Sequence, residues 1–309
     1  MRDDNASEPT EQDGLYPIRT ISALTGVNPV TLRAWERRYG LIRPQRTPKG
    51  HRLYTENDIE RIHRILELLD QGISIGQTRR LIETSAPSHE APLAESRDSD
   101  AWSPLERRLR DATSRLDEAA LVNAYDDALA SHSVMRVHRQ LVIPLSRQLA
   151  AQDTGDPLAR AARRLFSAFM RNKLGAQIHH QSDLARGPKL LAGCLPGEVI
   201  ETELLVFVVT ALAQGYRVVS LGPDTALASL PAAARQCHAR AIALFGERDA
   251  DTNALDGALA RVVDEAERPV FVGGGIAESE AARVEAQGTS PLPSDTDEAL
   301  RRVQQGLRG

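Results

Sequence analysis

Cysteine is almost absent: Cys194 and Cys237 are the only two in 309 residues, and they form no C-x-x-C pair. That excludes a disulfide framework and a cysteine-rich metal site, and it fits a reducing compartment. Aromatic residues make up only 4% of the chain, so its cores must be built from aliphatic and alanine side chains. Long apolar runs are missing too. The longest, Leu204 to Ala213, is flanked by Glu203 and Gln214 and falls short of the roughly 20 residues that cross a bilayer. The first residues are polar and acidic and do not read as a signal peptide. The expectation is a soluble cytoplasmic protein with no membrane partner. Catalytic arrangements are lacking as well: no Ser-His-Asp order, no Cys-His pairing, no P-loop and no G-x-G-x-x-G stand out, which argues against an enzyme. His179 and His180 are adjacent, so on a helix they point about 100° apart and read as surface residues, not metal ligands.

What is present is an uneven distribution of charge. The net charge of −4 hides a basic segment: residues 15–84 carry +5, whereas residues 1–14 carry −4 and the remainder −5. A basic module attached to a mildly acidic body suits a DNA reader with a separate regulatory part. The length predicts two or three domains, and 41% hydrophobic residues suffice for real cores.

The basic segment centres on Pro17 to Tyr54, which reads as helix, tight turn, helix and then a basic hairpin. Ile18, Ile21, Ala23 and Leu24 form a short apolar face, and Gly26 supplies the turn. Asn28 is a good N-cap, and Pro29 sits at the first helical position, where its missing N–H costs nothing. The next helix is expected to reach about Tyr39, with Val30, Leu32 and Trp35 facing inward and Gly40 ending it. Arg33 and Arg37, four residues apart, share a face. Arg43, Arg46, Lys49, His51 and Arg52 then crowd a loop containing Pro44, Pro48 and Gly50. A second helix that fits the major groove, with cations beside it for phosphates, is how a winged helix-turn-helix binds DNA.

These residues resemble the DNA-binding domain of the MerR family. That family carries a T-L-R-x-[WY]-E-R element, then G-L-[IL]-x-P, then a wing ending G-x-R-x-Y. Thr31, Leu32, Arg33, Trp35, Glu36, Arg37, Gly40, Leu41, Pro44, Gly50, Arg52 and Tyr54 match it. The resemblance covers about residues 15–84 and implies double-stranded promoter DNA as partner. Thr31, Arg33 and Arg37 are the candidates for base edges and groove. Arg46, Lys49, Arg52 and Tyr54 are candidates for phosphate and groove rim, with Asn28, Arg38 and His51 as further contacts.

The fold class expected is multidomain α plus α/β. Residues 1–14 read as a disordered tail and 85–102, rich in Ser, Pro and charge, as a linker. Between them Thr55 caps a helix to about Leu69, and Ser74 opens a shorter one. Residues 103–183 read as a four-helix bundle with helices at Pro104–Ser114, Glu118–Ser131, Val134–Ala151 and Pro157–Gln181, and Pro144 predicts a break in the third. From Lys189 strands and helices alternate, predicting a parallel, flavodoxin-like sheet over 186–309. Ligands in such sheets sit at the carboxyl ends of strands, here Gly193–Gly197, Gly222–Asp224, Phe245–Glu247 and Gly273–Gly275.

This order of domains resembles a MerR subfamily, the light-sensing repressors that bind adenosylcobalamin. YRVVSLGPDTALASL at 216–230 is similar to that subfamily's W-[RK]-V-x-x-L-G-x-D-T-P, and Gly273 and Gly274 match its glycine pair. The expected [ED]-x-H-x-x-G, whose histidine ligates cobalt, is absent. Glu198 is present, but Ile200 stands at the histidine and Glu203 at the glycine. An isoleucine has no lone pair for a metal. The bundle's tryptophan and Glu-His pair are replaced by Asp153 and by Arg163 and Arg164, and Trp102 falls in the expected linker. The long dimerisation coiled coil of many MerR proteins is also missing.

The reading is therefore a DNA-binding transcriptional regulator, a repressor and homo-oligomer, with neither cobalamin nor metal. Its degenerate body either docks a partner such as a separate photoreceptor or takes another small ligand at a rim including Asp224, Gly273 and Gly274. More simply, those glycines only turn the chain, and Asp224 and Thr225 only cap the following helix. A cobalamin photoreceptor with atypical ligation and a corrinoid-dependent enzyme subunit are the alternatives.

Overall fold

The computed structural model describes residues 14–71, 73–83, 98–153, 155–182, 185–247 and 255–308. The expected tail, apart from Gly14, and the linker up to residue 97 lie outside the described residues. The chain divides into two compact units, Met1–Leu105 with Val122–Val137, and Glu106–Leu121 with His138–Gly309.

The first unit begins with β1 (Leu15–Pro17) and α1 (Ile18–Thr25), which Gly26 closes in the left-handed region at φ 71°. The helix α2 (Pro29–Ala34) follows, its N-terminus capped by Asn28 Oδ1, which accepts from the Val30 N–H at 2.9 Å. It continues as a π-helical turn, Trp35–Tyr39, before Gly40 stops it at φ 60°. β2 (Gln45–Arg46) and β3 (Arg52–Thr55) form the wing hairpin, and β1 pairs antiparallel with the other edge of β3. Thr55 and Asp58 make a reciprocal capping box for α3 (Glu56–Asp70), satisfying N–H groups that the helix itself cannot. α4 (Ile75–Glu83) completes this part. Ile21, Leu32, Trp35, Leu41, Ile62 and Ile65 form its core. Val30, expected inside, is exposed, and Thr31, Leu32 and Ala34 are the buried residues of α2.

Four helical segments come next. α5 (Asp98–Ser114) starts at Asp98 and not at Pro104, because Pro104 is tolerated within it and Trp102 buries its ring against His132 at 4.1 Å between centroids. Trp102, expected in the linker, is thus a core residue of the first unit. α6 (Glu118–Ser131) is as expected. The third helix is interrupted: α7 (Val134–Val137) passes through a π-helical turn, His138–Val142, into α8 (Ile143–Gln152), and Pro144 stands in the first turn of α8. α9 runs over Pro157–Ser182.

The rest of the second unit is a five-stranded parallel sheet with order β5-β4-β6-β7-β8: β4 (Lys189–Cys194), β5 (Arg217–Ser220), β6 (Ala241–Phe245), β7 (Val270–Gly273) and β8 (Ser290–Pro291). Written by position in the sheet this is 2-1-3-4-5, the flavodoxin-like order, with its switch point at β4 and β6. β8, two residues long, is too short for a periodic signal in the sequence. Helices α10 (Thr202–Ala213), α11 (Leu230–Cys237), α12 (Ala258–Ala266), α13 (Gly275–Ser279), α14 (Ala281–Ala286) and α15 (Thr296–Gly306) connect or follow the strands. α10 is apolar on all sides and buried from Thr202 to Leu212 apart from Glu203, as a core helix must be.

Candidate nucleic-acid interface

Two groups of cations stand on the surface of the first unit. Arg33 and Arg37 are both exposed. Two residues of helix on either side of Trp35 bring them to the side roughly opposite that buried ring, since each residue turns the helix by about 100°. Lys49 and His51 are exposed at the tip of the wing. Gly50, at φ 83°, makes that tip possible, and its N–H donates to the Thr47 carbonyl at 2.8 Å.

Glu36 joins helix and wing. Its Oε1 accepts from Arg46 Nη2 at 2.8 Å, and its Oε2 accepts from Arg52 Nε. Burial alone would push the Glu36 carboxyl up, but hydrogen bonds and charge from Arg52 and Arg46 hold it below its ordinary value. Both arginines proposed for phosphate are therefore aimed by a carboxylate that belongs to the recognition helix. Glu36 was in the matched motif but was not singled out; an acid set among seven nearby cations was the available signal.

Other expected contacts are used differently. Thr31 is 4% exposed and packs within the unit, so it is not on a groove-facing surface. Tyr54 is 0% exposed; its ring fills the core and desolvation pushes its hydroxyl up to about 12, so it holds no phosphate here. Asn28 spends its carbonyl on the helix cap. Arg38 donates to Asp127 Oδ1 at 2.9 Å, and the Trp35 indole N–H donates to the Ala130 carbonyl at 3.0 Å. Both partners lie on α6, about 90 residues downstream, and nothing local in the sequence signals them.

At the carboxyl end of the sheet the acids are held from within the second unit. Arg147 of α8 donates to both oxygens of Glu203, at 2.7 and 2.8 Å, and to Glu278 at 2.7 Å. Arg163 pairs with Asp153 and Glu247, and Arg171 with Glu201. The hydrogen bonds that Glu203 accepts from it raise the Arg147 guanidinium further above its ordinary range. Glu198 accepts from the Glu247 N–H at 2.9 Å. Asp224, at φ 49°, does not cap the next helix; it accepts from the Gly197 N–H at 2.8 Å and ties the loop after β5 to that after β4. A Cβ at Gly274 would stand 2.3 Å from the Gly246 carbonyl oxygen, and one at Gly273 would meet the Phe245 ring at 2.6 Å. The glycine pair thus accommodates its own neighbours.

The family model for MerR helix-turn-helix regulatory proteins matches residues 16–85. The transcriptional repressor CarA of Myxococcus xanthus is 31% identical over 229 residues, 74% of this chain and 75% of CarA. The chain belongs to the MerR family of transcriptional regulators. The repressor CarH of the same organism is similar to nearly the whole of this regulator, at 28% identity over 91% of it and 96% of CarH. Among solved structures, a monomethylamine corrinoid protein of Methanosarcina barkeri covers 66% of the regulator with a TM-score of 0.52 at 14% identity, which establishes a shared fold for the body. The regulator binds DNA through its winged domain.

The residues of the body do not fit the corrinoid that such a fold implies. Ile200 is 8% exposed and lines a cavity of about 20 Å³ together with Thr202, Glu203 and Phe245, roughly the space of one water. The Ile200 side chain has no lone pair for cobalt, and the neighbouring carboxylates are taken by arginines. Among the described residues, no cluster of His, Cys, Asp and Glu is suited to a metal, and no helix is long and apolar enough to cross a membrane.

Proposed function

We propose that this MerR-family regulator is a repressor that reads a near-palindromic promoter site as a homo-oligomer without using cobalamin. The observation that carries the DNA reading is the shared exposed side of Arg33 and Arg37 beside the basic wing tip. One helix fits one major groove, so two copies would place recognition helices about one helical turn, or a multiple, apart. Similarity to CarA and CarH supports repression. Arg33 and Arg37 face base edges, Lys49 and His51 face phosphate, and Arg46 and Arg52 are presented by Glu36. The test is a binding titration of the full chain on a duplex selected from a random pool, over a range of salt. A salt-dependent shift specific to the selected duplex is expected; binding that does not distinguish it from a scrambled duplex would refute the reading.

The cobalamin-free body is supported by buried Ile200 and by the arginine pairs at the rim. The inducing signal then reaches the body through another molecule, and a partner protein such as a photoreceptor fits a rim already filled by its own side chains. Purification in the dark with added adenosylcobalamin tests this. A co-eluting spectrum of histidine-ligated cobalamin would overturn it.

A further inference from the structure

The family's DNA-binding segment ends at residue 85, yet the compact unit holding it includes Val122–Val137. Three sets of contacts attach that stretch. On α6, Asp127 and Ala130 are three residues apart and share a face. That face receives Arg38 at 2.9 Å and the buried Trp35 indole at 3.0 Å. At its other end Arg136 Nη1 donates to the Leu69 carbonyl at 3.3 Å, beside the end of α3. Arg136 also lies 5.9 Å from the centroid of Trp102, which stacks on His132.

Arg38 and Trp35 both belong to the π-helical turn that ends the recognition helix. A π turn widens the backbone and is seldom stable without outside support, and it recurs at functional sites. Here the support is α6. The contact is on the side of the helix away from Arg33 and Arg37, so α6 does not cover the reading face; it sets how that face is carried. A segment outside the winged domain therefore determines the pose of the recognition helix.

We propose that Val122–Val137 is a positioning element for DNA reading, with Asp127 and the Ala130 carbonyl as the positioning residues and Arg38 acting through Asp127, not on DNA. The inference rests on the DNA-binding reading above. It implies that specificity, more than bulk affinity for DNA, depends on α6, because a mispositioned recognition helix keeps its phosphate attraction and loses its base contacts.

The test uses the full-length chain, a selected duplex and a scrambled duplex of the same length. Arg38→Asp and Asp127→Arg are each expected to lower the ratio of selected to scrambled binding about tenfold. The double exchange, Arg38→Asp with Asp127→Arg, is expected to restore the ratio to within about threefold, because the pair is rebuilt with its charges reversed. If Arg38 touched DNA, the double exchange would stay as poor as Arg38→Asp. If α6 merely competed with phosphate for Arg38, Asp127→Asn would tighten binding to both duplexes. Either result overturns the proposal, as would unchanged ratios. Asp127→Asn keeps the shape of the side chain and serves where Asp127→Arg fails to fold; a lowered ratio with unaltered scrambled binding is then expected. Failure of the unmodified chain to prefer any selected duplex would instead count against the DNA reading itself.

Discussion

Glu36 Oε1 accepts a hydrogen bond from Arg46 Nη2 at 2.8 Å, so the recognition helix and the wing share one carboxylate. Replacing Glu36 with Ala releases Arg46 and Arg52 together. Affinity for a selected duplex should fall about tenfold, or ~1.4 kcal/mol, while binding to scrambled DNA becomes more salt-dependent as two cations are freed. Because the Glu36 carboxyl titrates below its ordinary 4.5, the brace is complete above that value and is lost as pH falls below it. Titrations of the Glu36→Ala chain against salt check the first claim; equal specific affinity would refute it.

Arg37 and Lys49 should behave differently from each other. Arg37→Ala is expected to cost about 1–3 kcal/mol on the preferred duplex if the guanidinium is bidentate to guanine, and to relax the preference at that base. Lys49→Ala should weaken all duplexes alike and reduce the salt slope by about 0.9. Parallel salt titrations separate the two; identical behaviour would mean that the reading face is misplaced.

His138 opens the second segment of the second unit inside a π-helical turn and is fully buried. Desolvation pushes its imidazole from 6.5 down to about 4. Between those values the unfolded chain binds a proton that the folded chain does not, so acid favours unfolding. The stability lost from pH 6.5 to 4 should reach about 3 kcal/mol at most, at ~1.4 kcal/mol per unit. A His138→Leu chain should show a correspondingly smaller loss in chemical denaturation across that window. Equal acid sensitivity in both chains would exclude His138 as the source.

Ile200→His should not create a cobalamin site. The side chain is buried, so the exchange puts a polar ring where an aliphatic one packs, at a cost of about 1–3 kcal/mol. Glu203, Glu247 and Glu201 remain held by Arg147, Arg163 and Arg171. A lower melting temperature with no cobalamin absorbance after incubation and gel filtration is the expected result; a histidine-ligated spectrum would contradict it.

The parts of the fold that local chemistry dictates were legible in the chain. Asn28 and Pro29 mark one helix start, Thr55 another, and Gly26 and Gly40 two ends, because caps and left-handed turns depend on neighbours in sequence. The alternation after Lys189 announced the parallel sheet for the same reason. Long-range choices were hidden. Trp102 sits in a polar, proline-rich setting, and its ring meets His132 and Arg136, some 30 residues further on. Thr31 and Tyr54 matched a DNA-reading motif, but a motif does not distinguish the residues that touch DNA from those that build the surface doing so. Nothing local to Arg147, Arg163 and Arg171 signals that they meet Glu203, Glu247 and Glu201, which lie 30 to 84 residues further along the chain.

The first unit is discontinuous in sequence: the chain leaves it after Leu105, returns at Val122 and leaves again after Val137. A domain woven in this way cannot be exchanged by a single crossover. Recombination in the linker would carry off the recognition helix and leave behind the Asp127 and Ala130 that support it. A transplant meant to keep this unit whole must therefore carry both segments, Met1–Leu105 and Val122–Val137.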